Sequence, residues 1–235
     1  MRAIKLSFFT VPVLSIALII SFSLPAWGTP GAESKQAEAQ PDIKGISTVA
    51  LLPFRSIATD ADAMRGSARD PVSGTIFRTC PAIPDAERIL EDIFSRKVRA
   101  FKDFKWIAGM PRTGLFPEFK LWKLEALQKK GGELKADAVL TGHVYCFRER
   151  VGYPLSVEKP ASVAFGIYLV RTSDGSILWR GIFDRTQQSL FENLLQASSF
   201  FKGGGKWVTA EELAEIGIDE LLKTFPVKTP EKAAE

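Results

Sequence analysis

Ser47-Thr48-Val49-Ala50-Leu51-Leu52-Pro53-Phe54 is apolar almost without interruption. Alternating apolar and polar side chains would mark a strand with one wet face. A continuous run of this length marks a strand covered on both faces, as at the centre of an α/β sheet. Outward from it, residues 85–101 read as a helix capped by Asp85, with Leu90, Phe94, Val98 and Phe101 on one stripe and Glu87, Arg88, Glu91 and Arg99 on the others. Residues 104–107 read as a short strand. A second helix is predicted over 117–130, opening on Pro117 and ending at Gly131-Gly132, with Leu121, Leu124 and Leu127 toward the sheet. Strands follow over 138–148, 161–171 and 176–183, with a turn at Gly152-Tyr153-Pro154 and a hairpin signal at Asp174-Gly175. After Asp184 the pattern returns to helix through Leu190, Phe191, Leu194 and Leu195, then breaks at Gly203-Gly204-Gly205. In the last helix Thr209 and Glu212 form a capping box, and Leu213, Ile216, Leu221, Leu222 and Phe225 form the buried face. The expectation is an α/β fold: a single mixed sheet packed by helices, in the order strand, helix, strand, helix, strand, strand, strand, helix, helix.

The 235 residues are 46% hydrophobic and 25% charged, the usage of an ordinary globular protein. Arg2 and Lys5 precede an uncharged apolar stretch over 6–23, Pro25 breaks it, and Ala26-Trp27-Gly28 places small residues where a signal peptidase reads. A signal peptide over 1–28 with a mature start at Thr29 is predicted; the alternative is an inner-membrane anchor through residues 6–24, near the lower limit for a span. Either way the rest of the chain is exported, and a periplasmic location is expected. No cysteine stands at the cut to be acylated, so no stable membrane anchor is expected after cleavage. Residues 29–44, with hardly any large apolar side chain, read as a flexible linker, 45–225 as one domain and 226–235 as a disordered tail. Within the domain, 55–84 is mainly polar and too long for a plain connection, so it is either functional or mobile.

Without Arg2 and Lys5, Lys plus Arg falls from 31 to 29 against 27 acidic residues, too mild an excess to imply nucleic acid. The densest basic stretch, Arg96, Lys97, Arg99, Lys102 and Lys105, either faces anionic lipid or polymer or, the plainer reading, is a solvated helix face, with Asp92 four residues before Arg96 as an ion pair would have it. Cys80 and Cys146 are the only cysteines. In an exported protein they can pair, and two separate buried thiols is the other reading. A lone His143 and no CxxC leave too few soft ligands for a metal, and no cofactor is expected.

His143 shares a strand face with Thr141 and Tyr145 and is the natural candidate base, while strict alternation turns Cys146 to the opposite face. A structural histidine is the plainer reading. Lys202-Gly203-Gly204-Gly205-Lys206 lacks the Ser or Thr of a phosphate loop and reads as a joint. Asp184, Arg185, Gln187, Gln188 and Glu192 gather where the last strand should end, either as a site or as a capped strand-to-helix turn. Phe200, Phe201 and Trp207 flank the triple glycine, as core anchors or as an exposed lip for a partner. No catalytic set emerges. The candidate partner contacts are Phe200, Phe201, Trp207, Asp184, Gln187 and Gln188.

Three motifs occur in order: Thr48-Val49-Ala50-Leu51-Leu52-Pro53-Phe54, then Ala136-Asp137-Ala138-Val139-Leu140-Thr141-Gly142, then Thr172-Ser173-Asp174-Gly175-Ser176-Ile177-Leu178-Trp179. In this order they resemble the bacterial envelope α/β domain shared by the curli secretion channel family, lipoprotein activators of penicillin-binding proteins and the N-terminal domain of the Tol-Pal propeller protein. The likeness covers about 45–185, and residues 183–213 are similar to uncharacterised envelope proteins. The resemblance implies non-enzymatic roles: docking envelope proteins at the outer membrane or building export complexes. Two departures matter. The acylated cysteine is missing, and 55–84 lacks the alternating apolar pattern of membrane-spanning hairpins, which argues against a pore. The expected function is an exported, non-enzymatic interaction or assembly protein of the bacterial cell envelope; the alternative is a periplasmic hydrolase using His143 or the Asp184 cluster.

Overall fold

The computed structural model describes residues 43, 45–57, 64–108, 121–153, 156–187 and 207–226. The predicted leader, nearly all of the predicted linker, the predicted helix after Asp184, the triple glycine, Gln188, Glu192, Phe200, Phe201 and the tail beyond 226 lie outside the described residues. The described elements, in chain order, are β1 (Thr48–Leu51), β2 (Arg55–Ser56), β3 (Ser67–Arg69), β4 (Ile76–Arg78), α1 (Ala86–Val98), β5 (Lys105–Ala108), α2 (Leu124–Glu133), β6 (Ala138–Arg148), β7 (Val151–Tyr153), β8 (Ser156–Lys159), β9 (Ser162–Arg171), β10 (Ile177–Thr186) and α3 (Ala210–Leu222).

The main sheet runs β10-β9-β6-β1-β5, with β2 also beside β6. β1 lies parallel to β5 and β6, and β9 lies antiparallel to β6 and β10. β6 owes its central place to two saturated flanks. β9 pairs along its whole length. Opposite β9 come β1, the N–H of Leu52 on Leu140, β2 at His143 and Val144, and then the N–H groups of Ile57, Cys80 and Ile83 on Val144, Tyr145 and Phe147. Ten of its eleven residues are buried, as in a strand covered on both faces, the polar Thr141 and His143 included.

Two layers cover the sheet. On one face α1 and α3 pack Leu90, Ile93, Phe94, Leu213 and Ile218 against Phe54, Leu140, Val144, Phe165 and Phe183. On the other, Trp122 and Leu127 of α2 and its entry meet Ala50, Leu52, Val139, Tyr168 and Val170, while the β3–β4 hairpin presses Phe77 onto Tyr145 and Ala164.

The mixed α/β sheet stands, but the order of elements is richer than predicted: ten strands and three helices among the described residues. Part of the polar segment 55–84 is ordered as β2, β3 and β4, and β7–β8 stands where a turn was expected. α2 begins at Leu124 and not at Pro117, and it runs through Gly131-Gly132 to Glu133. Gly131 serves close approach and not termination, since a Cβ there would come within 2.8 Å of Thr172 Cγ2 and 3.0 Å of Val139 Cγ1. The left-handed residue that turns the chain is Lys135, at φ 53°. Asp85 makes no side-chain capping bond; it sits at φ 60° and its carboxylate meets Arg88 instead. Arg96 turns its Nε to the backbone carbonyl of Asp92. The cationic neighbour Lys97 instead crosses to Asp219 and Glu215 on α3.

Candidate functional site

The turn between β3 and β4 is built by Asp70. Its Oδ1 accepts the N–H groups of Val72 (2.8 Å) and Ser73 (2.7 Å) and the Ser73 hydroxyl (3.1 Å), an Asx turn that aims Oδ2 at the sheet. There Oδ2 meets His143 Nδ1 at 2.6 Å and accepts the Tyr145 hydroxyl at 2.5 Å. On the far side of the imidazole, Trp122 donates its backbone N–H to His143 Nε2 at 3.1 Å. An amide N–H can only donate, so Nε2 accepts and the ring proton sits on Nδ1. His143 is therefore neutral and gives Nδ1–H to Asp70. Around this core, Ser73 Oγ lies 3.2 Å from the Tyr168 hydroxyl, and Pro53 O accepts both Trp122 Nε1 (2.8 Å) and Thr141 Oγ1 (3.2 Å).

The side chains of Asp70 and His143 are wholly shielded from solvent. Burial pushes the Asp70 carboxyl up, but hydrogen bonds from His143, Tyr145 and the Ser73 amide outweigh it and hold the group down at about 2. Burial first, and then the Asp70 charge, push both Tyr145 and Tyr168 upward, so the two phenols keep their protons. A carboxylate on Nδ1 of a histidine is how a general base is oriented. Here the lone pair that would act as base is closed by Trp122, and no solvent reaches the ring. The constellation is a tie that fastens the β3–β4 hairpin and the entry to α2 onto β6.

Beside it, Cys80 and Cys146 are joined in a disulfide, Cα to Cα 4.6 Å, across 66 residues of sequence. Phe77 stacks on Tyr145 with ring centres 4.3 Å apart. The register of β6 against β9 shifts between Val144 and Cys146. This bulge brings Tyr145 and Cys146 into one cluster with Phe77, Cys80 and Ala164, where strict alternation had put Cys146 on the far face.

The group around Asp184 is dispersed. β10 continues to Thr186, so Asp184 stands within the strand and not past its end. It accepts the Arg78 N–H at 3.1 Å and pairs with the Arg78 guanidinium. Arg185 goes to Glu220 on α3, 2.8 Å away, and Gln187 accepts the N–H of Val208 at 2.8 Å. Trp207 is half-buried just ahead of α3. The structure thus brings none of these side chains to a common point.

Asp137, part of the second strand motif, belongs to none of the predicted sites. Asp137 Oδ2 accepts Ser47 N (3.0 Å), Ser47 Oγ (2.8 Å) and Thr48 N (2.8 Å), locking the start of β1 to that of β6, and these bonds hold its carboxyl below the ordinary value. It borders an open cavity of about 380 Å³ lined by Gly45, Ile46, Ala136, Arg171, Thr172 and Ser173. The available signal was a carboxylate placed immediately before the apolar Ala138-Val139-Leu140 that opens β6. Among the described residues, no group of three or more His, Cys, Asp or Glu is placed to hold a metal, and no helix is long and apolar enough to cross a membrane.

Neither a family model nor a curated protein matches the chain. Among solved structures it is similar to the PelC dodecamer from Paraburkholderia phytofirmans, at 16% identity and TM-score 0.45 over 77% of this chain and 89% of that one. It is also similar to lipoprotein GNA1162 from Neisseria meningitidis, at 14% identity and TM-score 0.35 over 68% of this chain and 99% of that one. A third is the LpoB C-terminal domain from Salmonella enterica, at 15% identity and TM-score 0.32 over 63% of this chain and 89% of that one.

Proposed function

We propose that the protein is an exported, non-enzymatic interaction or assembly protein of the bacterial cell envelope, acting in the periplasm on envelope protein partners. The observation that carries this reading is the closure of His143, the one histidine of the chain. A hydrolase working through it needs Nε2 free to take a proton from water or a hydroxyl, and that atom already accepts the Trp122 N–H. Asp184, the other candidate acid or base, is engaged by Arg78. The signal-like first 28 residues and the disulfide both suit an oxidising, exported compartment. Outward, the domain offers apolar side chains on its hairpins: Val151 and Tyr153 on β7, Ile76 on β4 and Met64 just before β3 are exposed. An aromatic such as Tyr153 on an ordered hairpin is the kind of side chain that anchors protein contacts.

The test is a photo-crosslinker at Tyr153 in intact bacteria, with one at exposed Lys102 as control. A discrete envelope protein captured from position 153 and not from 102 is expected. Hydrolysis of an ester, peptide or glycoside substrate that disappears in a folded His143→Gln variant would replace this reading with the hydrolase.

A further inference from the structure

His143 is held from two sides by partners of opposite kind. The Asp70 carboxylate of the β3–β4 turn lies 2.6 Å from Nδ1, and the Trp122 amide donates to Nε2 at 3.1 Å. A neutral imidazole suits both, since it has one donor and one acceptor. An imidazolium has two donors and no acceptor. The two arms of the tie therefore answer a proton in opposite senses. At Nδ1 the bond to Asp70 becomes charge-assisted and stronger. At Nε2 an N–H is set against the Trp122 N–H, and one of the two must turn away.

The surroundings decide which one. The backbone of His143 is in register with Arg55 of β2 on one side and Gly166 of β9 on the other, and its Nδ1 faces a carboxylate that Val72 and Ser73 anchor, so the ring is fixed. Trp122 stands two residues ahead of α2 and in no strand, so no helix or ladder holds its amide. The charged and titratable groups near the ring come from several elements. Asp70 comes from the β3–β4 turn, and Tyr145 of the same strand gives its hydroxyl to Asp70 Oδ2 at 2.5 Å. From β9, Tyr168 lies 5.5 Å away ring to ring, with Arg180 of β10 opposite it. From β2, Arg55 carries its guanidinium over the Trp122 ring at 5.3 Å. A charge on His143 thus has its counter-ion on the Asp70 side and a second cation toward Trp122.

We propose that His143 is a proton-operated latch: a proton taken up at Nε2 releases Trp122 and the entry to α2, while the β3–β4 hairpin stays fastened through Asp70. Asp70, held down at about 2, remains ionised over the range in which an imidazole ordinarily charges, so the hairpin arm persists. On the other arm, the Trp122 ring is buried with Leu52, Leu127, Tyr168 and Val170, and its Nε1 donates to Pro53 O at 2.8 Å. Turning its amide away therefore loosens the cover on that face of the sheet. The proton favours the open arm, so opening grows as pH falls. The ring uncovered in this way already carries its proton and is no general base, so the latch leaves the closure of His143 as a catalyst intact. The device stands on the geometry of the tie and does not depend on what the domain binds.

Nuclear magnetic resonance on the full exported chain, isotope-labelled and free of any histidine tag, tests it, because the chain holds one histidine and its ring signals stand alone. Ring nitrogen shifts and amide hydrogen exchange are followed together as pH is lowered, with exchange corrected for the intrinsic effect of pH. The Trp122 amide is expected to lose at least tenfold in protection, with the same midpoint as the second ring proton. The Val72 and Ser73 amides, which Asp70 Oδ1 holds, are expected to keep theirs. His143→Gln offers Trp122 a carbonyl and Asp70 an NH₂ and takes up no proton, so its Trp122 amide is expected to stay protected where the wild type opens. The comparison of the two arms in the wild type decides the matter even where that variant fails to fold. A Trp122 amide that stays protected while the ring charges, a ring that stays neutral until the whole domain unfolds, Val72 and Ser73 opening together with Trp122, or an equal loss in folded His143→Gln overturns the proposal.

Discussion

The carboxylate of Asp70 lies 2.6 Å from Nδ1 of His143, across 73 residues of sequence, and both side chains are shielded from solvent. With the Tyr145 hydroxyl on the same oxygen, it joins the turn between β3 and β4 to β6. In Asp70→Asn, the remaining oxygen can keep the Val72 and Ser73 amides, but the NH₂ then faces two donors, His143 Nδ1–H and the Tyr145 hydroxyl. Buried donors left unmatched next to one another are costly, so the substitution is expected to lose about 3 kcal/mol. Urea denaturation reads this directly; a midpoint equal to that of the wild type would show that the hairpin is held by other contacts.

Acid should reach the same group. The Asp70 carboxyl is lowered from 3.8 to about 2. A depressed carboxyl binds protons less readily folded than unfolded, so its contribution is complete above the unfolded value and drains away as pH falls toward 2. Stability is expected to drop by about 2 kcal/mol between pH 5 and pH 2 from this group. The drop should be smaller by that amount in Asp70→Asn, and parallel pH profiles of the two proteins would refute the assignment.

The sequence showed what local rules control. The capping box of Thr209 and Glu212 is formed by both reciprocal bonds, Glu212 N to Thr209 Oγ1 at 3.1 Å and Thr209 N to Glu212 Oε2 at 2.8 Å. The apolar run at 47–54 is that of a strand covered on both faces, and β1 within it lies beside β6, the strand predicted over 138–148. Asp70 was not legible, because an Asp before Pro71 in a polar stretch looks like any turn residue, and its partners lie 73 and 75 positions away. Gly131 was misread because glycine signals a helix end and a close contact alike, and only the tertiary position of Thr172 separates them. The bulge at Val144 to Cys146 defeated alternation in the same way, since its cause is the pairing of β6 with β9.

The bridge between Cys80 and Cys146 closes a loop of 66 residues that contains α1, β5 and α2. Protein taken from an oxidising compartment is expected to show no free thiol under denaturing conditions. Replacing both cysteines with alanine should lower stability by about 4 kcal/mol on the chain-entropy account. Because Phe77 on Tyr145 and Arg78 on Asp184 still hold the hairpin, the sheet should stay paired while the amides of Asp70 and Gly74 exchange faster. Uniform acceleration across β6 and β9 would instead mean that the bridge supports the whole sheet.

Two glycines of opposite environment give the sharpest test of packing. A Cβ at Gly142 in β6 would stand 2.5 Å from Cδ2 and Cε2 of Phe54, and that ring is buried with Phe94 5.8 Å away. The Phe54 backbone is itself tied down, its N–H donating to Glu91 Oε2 at 2.9 Å, so the ring has little room to yield. Gly142→Ala is therefore expected to cost about 2 kcal/mol by overpacking, although alanine suits a strand better than glycine does. Gly132, inside α2, has nothing within 4 Å of such a Cβ and no positive φ. Gly132→Ala should gain about 0.5–1 kcal/mol from helix propensity and a less free unfolded chain. Thermal or urea unfolding of the two variants should move in opposite directions. If Gly142→Ala proves as stable as the parent, Phe54 has a second seat, and the close approach of β6 to that ring is not what fixes the α1 layer on the sheet.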